Sequence, residues 1–173
     1  DLAGLAVAAE RGRPGGAVYG RWRAASDAQA KALAGLQPGD RLPWVAGDLS
    51  ALTLATTRLS ELWVHTGDVA AGLARTLPPS GRLRPIARLA WRTLPYAFQR
   101  AGKSLAGPVA LKLTAPDGSP WEFTPEDPAA TVVTGPAHDF CLVAARRRAP
   151  ADTALVATGP DADLVLELVR TFA

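Results

Sequence analysis

The spacing of apolar residues divides the chain into a helical first part and a second part that contains strands. In the first part, apolar side chains recur every three or four positions, which is the period of an amphipathic helix. This spacing predicts helices over residues 18–36, 50–77 and 83–101, the last kinked at Pro95. Residues 1–10 are predicted to be the end of a further helix. The predicted core positions are Leu52, Ala55, Leu59, Leu62, Val69 and Leu73 in the second helix and Ile86, Leu89, Ala90, Leu94 and Phe98 in the third.

The period changes from 3.6 to 2 after residues 102–108. Apolar and more polar side chains alternate over 109–113, which is typical of a half-buried strand. A Pro-Asp-Gly turn at 116–118 and the segment 121–123 predict a returning strand and therefore a hairpin. Later elements are predicted as a strand at 131–134, a helix over 135–148, a strand at 155–157 and a helix over 161–172.

These patterns together predict an α+β fold with two domains. The first domain, residues 1–102, is expected to be a helical bundle, and the second, residues 108–173, a small α/β domain. The length of 173 residues allows one domain of ordinary size or two small ones, and 48% hydrophobic residues are enough for a packed core.

Composition and charge narrow the class of protein further. No apolar run reaches the ~18 residues of a membrane span, and no export signal is visible, so no membrane partner is expected. A single cysteine, Cys141, excludes an internal disulfide framework and favours the reducing cytoplasm. The net charge of +3 indicates a mixed solvated surface rather than a nucleic-acid interface.

One stretch of the long helix places three side chains of metal-binding type on one face. Glu61, His65 and Asp68 stand at positions i, i+4 and i+7, which lie within roughly 60° of each other around a helix. A carboxylate and an imidazole at this spacing can bind one divalent ion such as zinc. Asp68 can orient the imidazole without binding the ion itself. A hydrogen-bonded structural pair explains the same spacing. Gly67, between the last two residues, suggests that another segment approaches the helix backbone there.

The helix sequence SELWVHTGDVAAGL resembles the E-x-W-x-H-x-x-D signature of the mycothiol-dependent maleylpyruvate isomerase family. The segments WRAASDAQAKALAGLQPGDRLPW and ALTLATTRLSELWVH resemble the helix–loop–helix of that family's N-terminal domain. The segment from GPAHDF to the end resembles one uncharacterised bacterial subgroup, whose C-terminal part is similar to a domain associated with wybutosine-type tRNA base formation. The resemblance implies a DinB-like, metal-binding four-helix domain followed by a small α/β domain.

The resemblance also implies a ligand set and a chemistry. The family holds a divalent metal, expected here to be zinc, through a first-helix histidine and the glutamate and histidine that match Glu61 and His65. No histidine precedes His65, so we expect the first helix and its ligand to lie before Asp1. The implied chemistry is thiol-dependent isomerisation or transfer, with mycothiol as the thiol and a small acidic or electrophilic substrate. Arg58, one turn before Glu61, is the candidate for binding a substrate carboxylate, although a structural arginine explains it as well.

Two further features have ordinary explanations. His138, Asp139 and Cys141 can form a polar site, but a surface histidine, a capping aspartate and a buried cysteine account for them. The run Arg146–Arg148 can bind phosphate, but it also complements a helix C-terminus. Two functions therefore stand beside the enzyme hypothesis: a non-catalytic, metal-dependent binding or regulatory protein, and an RNA-associated protein acting through the C-terminal domain.

Overall fold

The computed structural model of the protein describes residues 2–44 and 47–171. The predicted helix ends at Asp1 and Phe172 lie outside the described residues. The chain forms two compact units, residues 1–52 and 53–173, and the division falls in the first turn of the longest helix.

The described residues of the first unit form two helices and a short antiparallel ladder. Helix α1 spans Leu2–Glu10 and α2 spans Gly15–Ala34, while β1 (Arg41–Leu42) pairs with β2 (Leu49–Ser50). Helix α2 begins directly after Pro14, a residue suited to a helix start because it lacks an N–H group to donate. The prediction of a helix over 18–36 is thus confirmed with a start three residues earlier. The β1–β2 ladder was not predicted, because a two-residue strand produces no alternating pattern.

The second unit combines five helices with a four-stranded sheet among the described residues. Its helices are α3 (Ala51–Gly72, beginning in the first unit), α4 (Leu83–Arg92), α5 (Leu94–Arg100), α6 (Ala137–Ala144) and α7 (Ala162–Leu168). Its strands are β3 (Val109–Thr114), β4 (Pro120–Phe123), β5 (Thr131–Pro136) and β6 (Val156–Thr158). The sheet order is β4-β3-β5-β6, with β3 and β5 parallel and the other pairs antiparallel. The α+β class and the order of elements after residue 108 are confirmed.

The kink predicted at Pro95 is a break between two helices. Helix α4 ends at Arg92, and α5 begins at Leu94 with Pro95 in its first turn, where the missing N–H group has no carbonyl to bind. Thr93 stands between them, and its hydroxyl donates to the carbonyl of Leu89 at 3.0 Å. The hydroxyl of Thr93 therefore satisfies a carbonyl in the last turn of α4, at the point where the chain changes direction.

The core of the second unit lies between the sheet and helices α4 to α7. The hairpin pairs Leu111 with Phe123, and both side chains are buried. The indole of Trp91 donates to the carbonyl of Val109 at 2.7 Å, which joins α4 to the sheet. The predicted inward positions Ile86, Ala90, Leu94 and Phe98 are buried, with Leu89 partly so. Helices α4 and α5 share this core with the sheet. The domain division at 102–108 and the DinB-like bundle stay predictions.

The predicted core stripe of α3 is largely wrong. Leu52, Leu62, Val69 and Leu73 are exposed, the last by 68%. Leu59 is an exception, because it packs against the core of the second unit as predicted, together with Trp63. The buried positions of α3 are Ala51, Ser60, Val64 and Ala70. Apolar residues occur on more than one face of α3, so periodicity alone could not identify the packed face. A Cβ atom on Gly67 would meet nothing within 4 Å, so the expected close approach is wrong as well.

No helix in the described part of the chain is long and apolar enough to cross a membrane.

Candidate metal site and the adjoining groove

Helix α3 brings the three predicted side chains into contact. The Nε2 atom of His65 lies 3.4 Å from the Oε2 atom of Glu61, and its Nδ1 atom lies 3.2 Å from the Oδ2 atom of Asp68. The imidazole therefore stands between two carboxylates, one turn away on either side. The side chain of His65 is 62% exposed, so the pair it forms with Glu61 is open to solvent.

The geometry of Glu61 and His65 suits two positions of a tetrahedral ion. Two donors about 2.1 Å from a tetrahedral zinc lie about 3.4 Å apart, which is the Nε2–Oε2 separation here. Asp68 contacts the opposite ring nitrogen, which is the arrangement of a residue that orients a metal-binding histidine. Within the described residues no group of three or more histidine, cysteine, aspartate or glutamate side chains can hold an ion. The separation is thus compatible with two ligands of one ion, and the pair by itself would supply only part of the coordination.

Asp68 is bound on its other side by an arginine that lies 79 positions further along the chain. The Nε atom of Arg147 donates to Oδ1 at 2.8 Å, and its Nη2 atom donates to Oδ2 at 2.7 Å. These two parallel bonds form the bidentate pair that guanidinium and carboxylate groups favour. The bonds from Arg147, with a further contribution from His65, lower the pKa of Asp68 to about 2. Asp68 is therefore a fixed anion at neutral pH.

The end of α6 determines where Arg147 lies. The N–H of Arg147 donates to the carbonyl of Leu142 at 2.9 Å, and the N–H of Arg146 donates to that of Val143 at 3.0 Å. These bonds define a Schellman motif, and Arg146 takes the left-handed conformation the motif requires, with φ of 60°. The chain therefore turns sharply after α6 and directs Arg147 toward α3. The Nη1 atom of Arg147 also donates to the carbonyl of Ala145 at 2.9 Å.

A groove of about 370 Å³ adjoins this cluster on the Asp68 side. Trp63 and His138 form one wall, with ring centroids 6.2 Å apart and the rings edge to face. Burial lowers the pKa of His138, and the charge of Arg148 lowers it further although Asp139 opposes the change. His138 was expected in a separate domain, yet the structure places it against the helix that carries His65.

The groove is apolar on its walls and cationic at its edge. Leu77, Pro78 and Leu142 extend the apolar lining, and Arg75, Arg147 and Arg148 are the cations. Arg147 and Arg148 are paired with carboxylates, whereas Arg75 makes no ion pair to any residue the structure describes. Arg75 follows the end of α3, where its N–H donates to the carbonyl of Ala70 at 2.8 Å. The groove can therefore accept a small ligand that joins an apolar body to an anionic group.

The remaining polar residues of α6 have structural contacts. Asp139 does not cap the helix as expected; it accepts bonds from Arg148 and from the N–H of Ala154, both at 3.0 Å. Cys141 is fully buried, as expected, and burial raises the pKa of its thiol. The arginine run is engaged by carboxylates at two of its three positions, so those two guanidinium groups do not form an open phosphate site.

Arg58 lies on the same face of α3 as Glu61 and His65, one turn before them. It does not line the groove, and its Nε atom is buried without a hydrogen bond to any described residue. Its assignment to substrate binding stays a prediction.

Comparison with known proteins is consistent with the motif on α3. Residues 3–70 match the model of the mycothiol maleylpyruvate isomerase N-terminal domain, which points to that family and includes the Glu61, His65 and Asp68 positions. Two uncharacterised proteins of Mycobacterium tuberculosis, from strains CDC 1551 and H37Rv, are each 38% identical over 153 residues, which is 88% of this chain. The chain spans 59% of the length of these curated relatives.

Proposed function

We propose that the protein is a divalent-metal protein of the mycothiol maleylpyruvate isomerase-like superfamily, in the subgroup with a wyosine-formation-like C-terminal segment. Glu61 and His65 would supply two ligands, and the ion would be zinc. The observation that carries the proposal is the 3.4 Å separation of Nε2 and Oε2, with Asp68 behind the ring. The remaining positions would belong to water, to a thiol or to donors outside the described residues.

The proposed activity is thiol-dependent isomerisation or transfer on a small acidic or electrophilic substrate. A bound ion would act as a Lewis acid and lower the pKa of a thiol such as mycothiol. The groove beside Asp68 supports a small substrate, because its apolar walls adjoin the charge of Arg75, which forms no ion pair with a described residue. Arg75 would bind a substrate anion there, while Arg58 is the alternative on the face of Glu61 and His65.

Metal content provides the first test. We expect about one zinc per chain in the wild type and far less in His65→Ala. His138→Ala is the matched control, since it removes the other histidine, which lies in the groove and outside the Glu61–His65 pair. Equal zinc content in wild type and His65→Ala would refute the proposed site.

Catalysis is tested separately from metal binding. Incubation with mycothiol and maleylpyruvate, with and without a chelator, distinguishes an enzyme from a metal-dependent binding or regulatory protein. Turnover that is lost on chelation would exclude the non-catalytic alternative, whereas metal binding without turnover of these or related electrophilic acids would favour it. The RNA-associated alternative has less support, because Arg147 and Arg148 are bound to carboxylates.

A further inference from the structure

We propose that Arg147 is a positioning residue of the metal site: by fixing Asp68, it holds His65 with a proton on Nδ1 and a free Nε2 lone pair. This role rests on the proposed function of Glu61 and His65. It assigns a part in the site to a residue that lies outside the family match of residues 3–70.

Every side-chain donor group of Arg147 is oriented in the structure. Nε and Nη2 bind the two oxygens of Asp68, and Nη1 binds the carbonyl of Ala145. Its backbone is held by the Schellman motif at the end of α6. Arg147 is thus tied to α6 by backbone and side chain, and the carboxylate of Asp68 can rotate only by breaking one of two short bonds.

The fixed carboxylate in turn determines the state of the imidazole. An ionised carboxylate only accepts hydrogen bonds, so Nδ1 of His65, 3.2 Å from Oδ2, must be the protonated nitrogen. In the neutral ring Nε2 is then the nitrogen that carries the lone pair, and it lies 3.4 Å from Oε2 of Glu61. A metal needs this tautomer, and partners that fix it typically contribute 10–100-fold in affinity.

Whether the loss of Arg147 weakens or strengthens zinc binding distinguishes a positioning role from a purely electrostatic one. Arg147 is a cation whose field reaches Glu61. Removing a nearby cation should strengthen the binding of another cation through space, since like charges repel. If Arg147 positions His65, its removal should instead weaken zinc binding.

The experiment compares Arg147→Gln with Arg148→Gln, a neighbour in the same run that is paired with Asp139 instead. Zinc affinity is measured by chelator competition, and the His65 tautomer of the metal-free protein by ¹⁵N NMR. We expect Arg147→Gln to bind zinc 10–100-fold more weakly and to lose the Nδ1–H preference, with Arg148→Gln unchanged or slightly tighter. Arg147→Lys, which keeps the charge but not the two parallel bonds, should resemble Arg147→Gln.

Zinc affinity that is unchanged or stronger in Arg147→Gln would overturn the proposal, and so would an unchanged tautomer. If Arg147→Gln does not fold, Arg147→Lys decides the proposal by the same two measurements, because it keeps the charge and loses the two parallel bonds. If the wild type binds no zinc, the proposed function fails, while the tautomer comparison still decides whether Arg147 positions His65.

Discussion

Replacing Ala74 by glycine should stabilise the protein. Ala74 follows α3 and has φ of +52°, a left-handed conformation that glycine adopts without steric cost. It occupies the turn position of a Schellman motif, in which its N–H donates to the carbonyl of Ala71 at 3.0 Å and the next N–H, that of Arg75, to Ala70. Ala74 is exposed, so removing its methyl group leaves no cavity.

The size of the effect follows from two opposing contributions. A residue with a Cβ atom costs about 1–2 kcal/mol in the left-handed region. Glycine adds conformational entropy to the unfolded chain, which costs about 0.4–1 kcal/mol. Ala74→Gly should therefore raise the free energy of unfolding by about 0.5–1 kcal/mol, and Tm by roughly 2–4 °C per kcal/mol for a chain of this size.

Gly102 provides the inverse control. It occupies the same position after α5, with φ of +66°, and the following N–H, that of Lys103, donates to the carbonyl of Phe98 at 2.9 Å. A Cβ atom there meets nothing within 4 Å, so Gly102→Ala tests the backbone conformation alone. We expect it to lower the free energy of unfolding by about the amount that Ala74→Gly raises it.

Urea denaturation followed by tryptophan fluorescence measures both variants, with the free energies taken from the midpoints at a common slope. A destabilised Ala74→Gly, or a Gly102→Ala variant as stable as the wild type, would show that the left-handed conformation carries no significant strain at these helix ends.

Two further predictions concern titratable groups whose pKa is shifted by full or partial burial. Cys141 should react very slowly with a thiol reagent in the native protein at pH 8 and rapidly in urea, because burial removes access and raises the pKa of its thiol; fast native reaction would contradict the burial. His138 should titrate by NMR below its ordinary pKa of 6.5, and its pKa should return toward that value in Trp63→Ala, because this substitution exposes the imidazole ring. As pH falls below 6.5, the unfolded state binds a proton at His138 before the folded state does, so the wild type should lose stability. An ordinary pKa in the wild type would contradict the packing of His138 against Trp63.

Local patterns in the sequence predicted the α/β part well. The hairpin of β3 and β4 follows from alternation around a Pro-Asp-Gly turn, and both signals act within 15 residues. The break near Pro95 follows from the missing N–H of proline. The packed face of α3 was mispredicted because the small residues Ser60 and Ala70 are buried while large ones such as Leu62 and Val69 are exposed.

The candidate site was predictable only as far as one helix extends. The contacts of His65 with Glu61 and Asp68 follow from helical spacing, which places i+3 and i+4 side chains side by side. Arg147 could not be found in this way, because its contact with Asp68 depends on how α6 packs and where its Schellman motif turns the chain. The arginine run was visible in the sequence, but nothing local indicated that its middle member would meet α3.

The bidentate pair has a consequence for modularity. Asp68 lies within the segment 3–70 that matches the family domain, and Arg147 lies outside it. A fusion or graft that transferred this segment alone would carry Glu61, His65 and Asp68 but would leave the guanidinium group behind. A recombinant protein that carries the site should therefore include both α3 and the turn after α6. Any exchange of C-terminal segments between relatives would have to supply an arginine at the same turn.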